Sequence, residues 1–194
     1  MPARILAFSG SARRDSFNQR VVTVAAEAAR AAGAEVELLD LLDYPMPLFN
    51  QDEEAANGKS EAAKALKAKM IAADGFLLSC PEYNGSITPL LKNTIDWVSR
   101  PDEGEDMRAG LPAYKGKVVT LMAASPGGLG GLRGLFHVRD ILSGVGCVVL
   151  PDQVAVPAAH TQFDEDGAMK ADGMRPRIEA LGTGLVSFLD RLDG

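Results

Sequence analysis

The sequence has few of the residues that build disulfide scaffolds or metal sites. Its 194 residues include two cysteines and two histidines. Two cysteines are too few for a disulfide scaffold, and Cys80 and Cys147 each lie at the edge of an apolar run, where a buried reduced thiol is expected. His137 and His160 stand far apart in the sequence without the Cys or carboxylate spacing of a metal site, so we expect no bound metal.

Long apolar runs are also missing. No stretch approaches the ~20 apolar residues that span a membrane, and residues 1–8 lack the basic region and long apolar run of a signal peptide. We therefore expect a cytoplasmic protein without a membrane partner. Positive charge is in the minority, because 20 Lys and Arg stand against 26 Asp and Glu and give a net charge of −6. This balance disfavours nucleic acid as a partner, although a few local cations can still bind a small anion.

The rest of the composition is that of an ordinary globular protein. Hydrophobic residues make up 46% of the chain and charged residues 24%, which gives no support to disorder or to a coiled coil. A chain of this length can enclose a sizeable core, and we predict a single domain over residues 1–194.

Short apolar runs alternate with stretches of helical spacing along the whole chain. We predict strands at residues 4–8, 36–39, 76–80, 118–123 and 147–150, with 154–156 as a candidate extension of the fifth. We predict helices at residues 21–32, 60–73, 89–98, 135–142 and 177–192. Between these elements, residues 40–58 are predicted to lack regular structure, and residues 100–117 are predicted to cross the surface.

The alternation of strands and helices indicates an α/β fold, with helices on both faces of a parallel sheet in a three-layer sandwich. Five strands favour the flavodoxin-like strand order 2-1-3-4-5. In such a sheet, ligands bind at the carboxyl ends of the strands, beside the switch point between strands one and three. The loops that follow strands one, three and four should therefore form one site.

The loop between the first strand and the first helix has the composition of an anion site. Gly10 permits a tight turn, and the start of the helix presents free N–H groups. Ser11, Ser16 and Asn18 add neutral donors, and Arg13 adds a full positive charge suited to a phosphate monoester. In the structural alternative, Ser16 or Asn18 only caps the helix. The loop matches neither G-x-G-x-x-G nor the Walker A motif, which favours a single terminal phosphate as the ligand.

Two further loops at the same edge carry turn-forming and flat residues. After the third strand, Asn84 and Gly85 readily take positive φ, and the ring of Tyr83 can lie against a planar ligand or, alternatively, cover the core. After the fourth strand, residues 125–131 contain four glycines. These let the backbone pass close to a flat ligand or, alternatively, form a flexible turn.

Three motifs together resemble the NADPH-dependent FMN reductase family, including its quinone and chromate reductase members. The motifs are GSARRDSFN at residues 10–18, PEYNGS at 81–86 and LKNTIDW at 91–97. The resemblance covers nearly the whole chain. It implies a flavodoxin-like fold with bound FMN, hydride transfer from NAD(P)H, small-molecule electron acceptors, and a homodimer or homotetramer with flavin sites near a subunit interface.

The resemblance also implies roles for individual residues. Those implied to hold the FMN phosphate are Ser11, Arg13, Ser16 and Asn18. Those implied to line the flavin ring and ribityl chain are Pro81, Glu82, Tyr83, Asn84 and Gly85, and those implied to close its other edge are Ser125, Gly127 and Gly128. On the helix after the second motif, we expect Trp97 to pack between helix and sheet and Asp96 to cap or pair.

An FMN reductase needs no catalytic side chain of its own, because the flavin accepts the hydride and the protein supplies position and electrostatics. The expected cycle is ping-pong, with NAD(P)H and then a quinone, free flavin, azo compound or chromate occupying the same face. The apolar segment 44–49 is expected at a subunit contact.

The alternative function is a non-enzymatic electron carrier of the flavodoxin type. Such carriers usually bind phosphate in a loop without arginine and present a strongly acidic face. Here Arg13 and Arg14 lie in the loop and the net charge is only −6. These features favour the enzyme over the carrier.

Overall fold

The protein is described here by a computed structural model, in which residues 1–102, 104, 106 and 111–193 are placed. The strands are β1 (Arg4–Ser9), β2 (Glu35–Asp40), β3 (Gly75–Ser79), β4 (Val118–Ala124) and β5 (Val148–Val156). The α-helices are α1 (Phe17–Ala31), α2 (Gln51–Asn57), α3 (Glu61–Ala72), α4 (Pro89–Val98), α5 (Leu132–Gly144) and α6 (Arg175–Asp193).

The five strands form one parallel sheet in the order β2-β1-β3-β4-β5, which confirms the predicted order. Ile5 of β1 is paired with Val36 of β2 on one side and with Gly75 of β3 on the other. Because α1 and α4 follow these two neighbouring strands on opposite faces of the sheet, the switch point lies between β1 and β3. The carboxyl ends of β1, β3 and β4 therefore lie side by side.

Two apolar cores lie on the two faces of the sheet, as a three-layer sandwich requires. Along β1, Ile5 and Ala7 belong to the core shared with α1 and α6, and Leu6 and Phe8 belong to the core shared with α3, α4 and α5. All four side chains are buried. Burial on both faces explains why the central strands read as unbroken apolar runs in the sequence.

Helices α1 and α6 cross at very short range because both present small residues. In α1, Ala25 and Ala29 have no exposed surface. A Cβ built on Gly182 of α6 would lie 2.1 Å from the carbonyl oxygen of Ala25. A distance of this size is a steric overlap, so only glycine fits at this crossing.

The prediction that residues 40–58 lack regular structure is wrong. They contain a 3-10 turn, Leu41–Asp43, and the seven-residue helix α2, so the described residues form one α-helix more than predicted. The Asn50 side chain caps α2 by accepting a hydrogen bond from the N–H of Asp52, and acids in its first turn suit the helix dipole. No residue of α2 is buried, so its sequence carries no apolar periodicity that could reveal it.

The fifth strand is longer than predicted. It continues to Val156, and the candidate extension is part of the same strand. Val119 of β4 pairs with Val149, whereas Leu121 pairs with Gln153, so the register shifts and residues 150–152 leave the ladder. Proline cannot donate a ladder hydrogen bond, and Pro151 lies at this irregularity, which explains why the sequence suggested two separate runs.

The predicted surface excursion at residues 100–117 is corrected in part. Residues 103, 105 and 107–110 lie outside the described residues. Tyr114 is 1% exposed, so the end of the segment belongs to the core. Among the described helices, none has both the length and the apolar composition needed to cross a bilayer.

Four side chains are buried or paired as predicted. Cys80 and Cys147 are buried free thiols, and burial raises the pKa of each to about 12. Trp97 is buried as expected, and the contacts seen for it are with segment 44–49: its indole N–H donates to the Pro47 carbonyl at 2.7 Å, and its ring lies edge-on to Phe49 with the centroids 5.1 Å apart. Asp96 forms an ion pair of 2.8 Å with Lys92, one helical turn earlier on α4.

Candidate functional site

The loop after β1 is fixed to two neighbouring elements through Gly10. Its N–H donates to the Ser79 carbonyl at 2.9 Å, and its carbonyl accepts from the Thr88 hydroxyl at 2.6 Å. A Cβ on Gly10 would lie 2.9 Å from the Leu91 Cβ, so a larger residue does not fit without displacing α4. These contacts hold the loop against the end of β3 and the start of α4.

Backbone N–H groups in this loop remain without internal partners. The hydroxyl oxygens of Ser9 and Ser11 accept the N–H groups of Ser11 and Arg13, both at 3.2 Å. The Ser16 hydroxyl oxygen caps α1 by accepting from two N–H groups of its first turn. Within the described residues, the N–H groups of the loop that have no hydrogen-bond partner are those of Ala12, Arg14, Asp15 and Phe17. Unpaired N–H groups before a helix favour an anion.

Two arginine side chains project from the same loop. Arg13 and Arg14 are exposed, and in the part of the chain that the structure describes neither guanidinium has a hydrogen-bond or ion-pair partner. Together with the unpaired N–H groups, they form a set of cationic and neutral donors. This is the donor set that a phosphate monoester requires.

Asn18 joins α1 to the ends of two strands. Its amide oxygen accepts from the Ser79 hydroxyl and from the Ala124 N–H, both at 2.9 Å, and its amide nitrogen donates to the Ala124 carbonyl at 2.8 Å. Asn18 is 5% exposed, and one hydrogen of its amide has no partner in the described structure. Its role is therefore partly structural, and a single N–H is left for a ligand.

The loop after β3 forms a tight hairpin turn. Tyr83 and Ser86 exchange backbone hydrogen bonds of 2.9 and 3.0 Å, and Asn84 and Gly85 between them have φ of 51° and 82°. These positive φ angles are the ones expected for Asn-Gly in a two-residue turn. Within the described residues, the N–H groups of Asn84 and Gly85 are unpaired, and Tyr83 is 45% exposed. The turn can therefore present two donors and a flat ring to a ligand.

The carboxylate of Glu82 is occupied by the start of α5. It accepts hydrogen bonds from the N–H groups of Arg133 and Gly134, at 3.0 and 3.3 Å, and from the Arg133 Nε at 2.7 Å. The Glu82 side chain is 8% exposed. Burial by itself raises the pKa of Glu82, but the hydrogen bonds outweigh burial and hold the pKa below the usual carboxyl range. Glu82 is therefore ionised at neutral pH.

The glycines after β4 are of two kinds. A Cβ on Gly130 would lie 2.6 Å from the backbone of Val156, and a Cβ on Gly131 would lie 2.8 Å from the Ala123 side chain. Both glycines are buried and take positive φ, so they serve the packing of the loop.

The other two glycines of this loop lie at the surface. Gly127 and Gly128 are exposed, and a Cβ on Gly128 would meet no atom within 4 Å. The Ser125 hydroxyl oxygen accepts the Gly127 N–H at 3.2 Å and so shapes this part of the loop. Only these exposed glycines leave space beside the backbone for a ligand.

Two side chains of α5 that are not among the predicted site residues contact the turn. Arg133 binds Glu82, and the Nδ1 of His137 lies 2.9 Å from the Ser86 hydroxyl oxygen. The two are four residues apart and share one helix face. A cation in the first turn opposes the helix dipole, so an arginine at this position is a sequence signal for a carboxylate partner.

The sequence matches a known protein family across the whole of this site. The sequence model described as NADPH-dependent FMN reductase matches residues 3–161, which include all three loops. The chain belongs to the NADPH-dependent FMN reductase family. Membership confirms the expected oxidoreductase, with FMN as cofactor and NAD(P)H as co-substrate.

Two relatives are similar to this chain over almost the whole length of both proteins. A probable NADPH:quinone oxidoreductase from Oryza sativa subsp. japonica is 32% identical over 196 residues, which cover 98% of this chain and 91% of that protein. An NAD(P)H-dependent FMN reductase from Pseudomonas aeruginosa is 32% identical over 192 residues, which cover 98% and 97%.

A solved structure agrees with the fold of this family member. FerB, a flavoenzyme NAD(P)H:(acceptor) oxidoreductase from Paracoccus denitrificans, superposes with a TM-score of 0.79 at 25% identity. The match covers 97% of this chain and 98% of FerB. The flavodoxin-like architecture is thereby confirmed.

Proposed function

We propose that this FMN reductase family member transfers hydride from NADPH or NADH to bound FMN and then passes the electrons to a small acceptor in a ping-pong cycle. The proposed acceptors are quinones, free flavins, azo compounds and chromate. The names of the relatives from Oryza and Pseudomonas, a quinone oxidoreductase and an FMN reductase, support this proposal. The observation that carries it is the meeting of three loops at one sheet edge, with unpaired N–H donors beside the exposed Arg13.

In this proposal, the loop after β1 holds the FMN phosphate through Ser11, Arg13, Ser16 and Asn18. The hydroxyls of Ser11 and Ser16 act only as acceptors in the described contacts, so each keeps an O–H to donate. Asn18 keeps one amide hydrogen, and Arg13 supplies the positive charge. Ser11 and Ser16 are 9% and 3% exposed, so a phosphate here would lie against largely desolvated donors.

The flavin ring and ribityl chain are proposed to lie between the other two loops. The residues proposed to contact them are Pro81, Glu82, Tyr83, Asn84 and Gly85 on one side and Ser125, Gly127 and Gly128 on the other. The free N–H groups of the turn and the open space beside Gly128 support this placement. Because its carboxylate is engaged by α5, Glu82 would contribute through its backbone.

Bound FMN supplies the redox chemistry, accepting hydride from the nicotinamide and passing electrons to the acceptor. The residues of the chain would bind the cofactor and orient it. The cationic loop after β1 would hold one end of the cofactor, and the unpaired N–H groups of Asn84 and Gly85 would stabilise negative charge on a ring bound beside them. Because the turn is exposed, a ring bound against it would remain accessible to two substrates that bind in succession.

We propose a homodimer or homotetramer on the basis of exposed apolar side chains near the same edge. Tyr83, Leu129 and Phe136 are 45%, 53% and 51% exposed, and Leu48 is 82% exposed. Apolar surface of this kind is typical of an interface. The rest of segment 44–49 is held by its own chain, since the Asn93 and Trp97 side chains both donate to the Pro47 carbonyl.

The function is tested on purified protein, by measuring its flavin content and the oxidation of NADPH and NADH with a quinone as acceptor. We expect a yellow protein that oxidises at least one nucleotide, with parallel double-reciprocal plots when the quinone concentration is varied. A yellow protein that only a partner reductase can reduce would instead support the electron carrier. A colourless protein that gains no thermal stability from added FMN would overturn the flavin site.

A further inference from the structure

Helix α5 begins without a side-chain cap of its own. Its N-cap residue is Gly131, which offers no side-chain hydrogen bond. The carboxylate of Glu82, which precedes Arg133 by 51 residues, accepts the N–H groups of Arg133 and Gly134 instead. One buried carboxylate from the loop after β3 therefore caps the helix that follows the loop after β4, and it joins two loops of the proposed flavin site.

The guanidinium that pairs with Glu82 lies at the surface, beside the Asn84–Gly85 turn. Arg133 donates through Nε and a terminal nitrogen to the same Glu82 oxygen, and its side chain is 61% exposed. A Cβ built on Gly85 would lie 3.9 Å from the Arg133 Cζ and 4.0 Å from one terminal nitrogen. The pair therefore has a buried negative end between the loops and an exposed positive end against the Asn84–Gly85 turn.

We propose that Glu82 and Arg133 are positioning residues that act as one unit, fixing the turn to α5 and setting the reduction potential of FMN bound at that turn. The proposal rests on the flavin placement given above. Hydride transfer, which moves two electrons and one proton, brings one negative charge into the site. The nearby guanidinium stabilises that charge, and the carboxylate destabilises it. With both present, the potential should lie between the higher value expected with Arg133 alone and the lower value expected with Glu82 alone.

The decisive experiment measures the two-electron potential of the FMN-loaded protein at a single pH for Glu82→Gln, Arg133→Gln and the double variant. Glutamine at position 82 can still accept the two N–H groups of α5, and glutamine at 133 keeps the backbone donor. We expect Glu82→Gln to raise the potential and Arg133→Gln to lower it. Solvent screens an exposed arginine, so we expect each shift to be modest. Each should correspond to about a threefold to tenfold change in the ratio of the protein's affinity for reduced FMN to its affinity for oxidised FMN. A tenfold change in this ratio equals about 30 mV.

The double variant should return to near the wild-type potential, because no net charge is then left at the pair. Glu37→Gln is the matched control. It removes a carboxylate that is ion-paired to Lys69 at 2.7 Å, in β2 and away from the three loops, and it should leave the potential unchanged.

Two results would overturn the inference. Single variants that shift the potential in the same direction, or that only weaken FMN binding without shifting it, would give the pair a purely structural role while leaving the proposed function intact. Failure of the wild-type protein to bind FMN at all would instead contradict the flavin placement itself, so the two failures are distinguishable.

Discussion

Asn18 and Ala124 are 106 residues apart in the chain, yet the Asn18 amide group bonds both backbone groups of Ala124, at 2.8 and 2.9 Å. The same amide oxygen accepts the Ser79 hydroxyl, so one side chain joins α1 to the ends of β3 and β4. The loop proposed to hold phosphate is thereby anchored to the two strands whose loops are proposed to hold the ring.

Replacing Asn18 by alanine should destabilise the protein even without FMN. The change leaves the Ser79 hydroxyl and both backbone groups of Ala124 buried without a partner, and each such group costs about 1–3 kcal/mol. Urea unfolding of the apo-protein measures the effect. Gln19→Ala, at a half-buried neighbouring position on α1, is the control and should change stability by less than about 0.5 kcal/mol. A near-neutral Asn18→Ala would contradict this anchoring role.

Two glycines of α6 should respond to alanine with opposite signs. At Gly182 the new Cβ would overlap the Ala25 carbonyl, and overpacking of this kind costs about 1–3 kcal/mol. At Gly184 the Cβ would meet nothing within 4 Å, so alanine should stabilise the helix by about 0.5–1 kcal/mol. Thermal unfolding of the two variants gives the comparison. Equal shifts in Tm would show that α1 and α6 do not pack at the distance seen here.

Arg13→Ala should weaken FMN binding by about 1–3 kcal/mol, the range for losing a hydrogen bond to a charged group. Fluorescence titration of the apo-protein with FMN measures the Kd. Arg14→Ala removes the same charge one residue further along, so a smaller effect there would separate direct contact from net charge. If Arg13→Ala bound FMN as tightly as the wild type, its phosphate role would be refuted.

The ion pair of Glu82 should make stability depend on pH. Its carboxyl pKa is lower in the folded protein than the ordinary value of about 4.3, so the folded state prefers the ionised form. The resulting stability is complete above the ordinary pKa and is lost as the pH falls through the folded-state pKa. The difference in unfolding free energy between the wild type and Glu82→Gln should therefore shrink on acidification. A difference that is constant with pH would contradict the depressed pKa.

The exposed apolar side chains give a prediction for assembly. Light scattering at micromolar concentration should show a dimer or tetramer, and Phe136→Ser should shift the protein toward smaller species, because Phe136 is 51% exposed on α5. Val148→Ser changes an apolar residue of similar exposure, 44%, on β5 and serves as the control. A monomeric wild type would remove the basis for the proposed interface.

Much of the architecture could be read from local pattern. Buried parallel strands appear as apolar runs such as residues 76–79, and amphipathic helices appear through their spacing, as in α4, whose Pro89 lies in the first turn as expected. Helix α2 has no buried residue, so its sequence shows no apolar periodicity that predicts a helix. Residues 150–152 leave the ladder, so β5 appears in the sequence as two separate runs.

The strand order, the loops that meet at the carboxyl edge of the sheet and the family can all be predicted from the sequence. These follow from periodicity, turn residues and motifs, all of which are local. The cap of α5 by Glu82, the link of Asn18 to β3 and β4, and the close crossing of α1 and α6 at Gly182 are visible only in the folded protein. Local pattern cannot predict them, because each contact joins residues more than 50 positions apart that the folded sheet brings together.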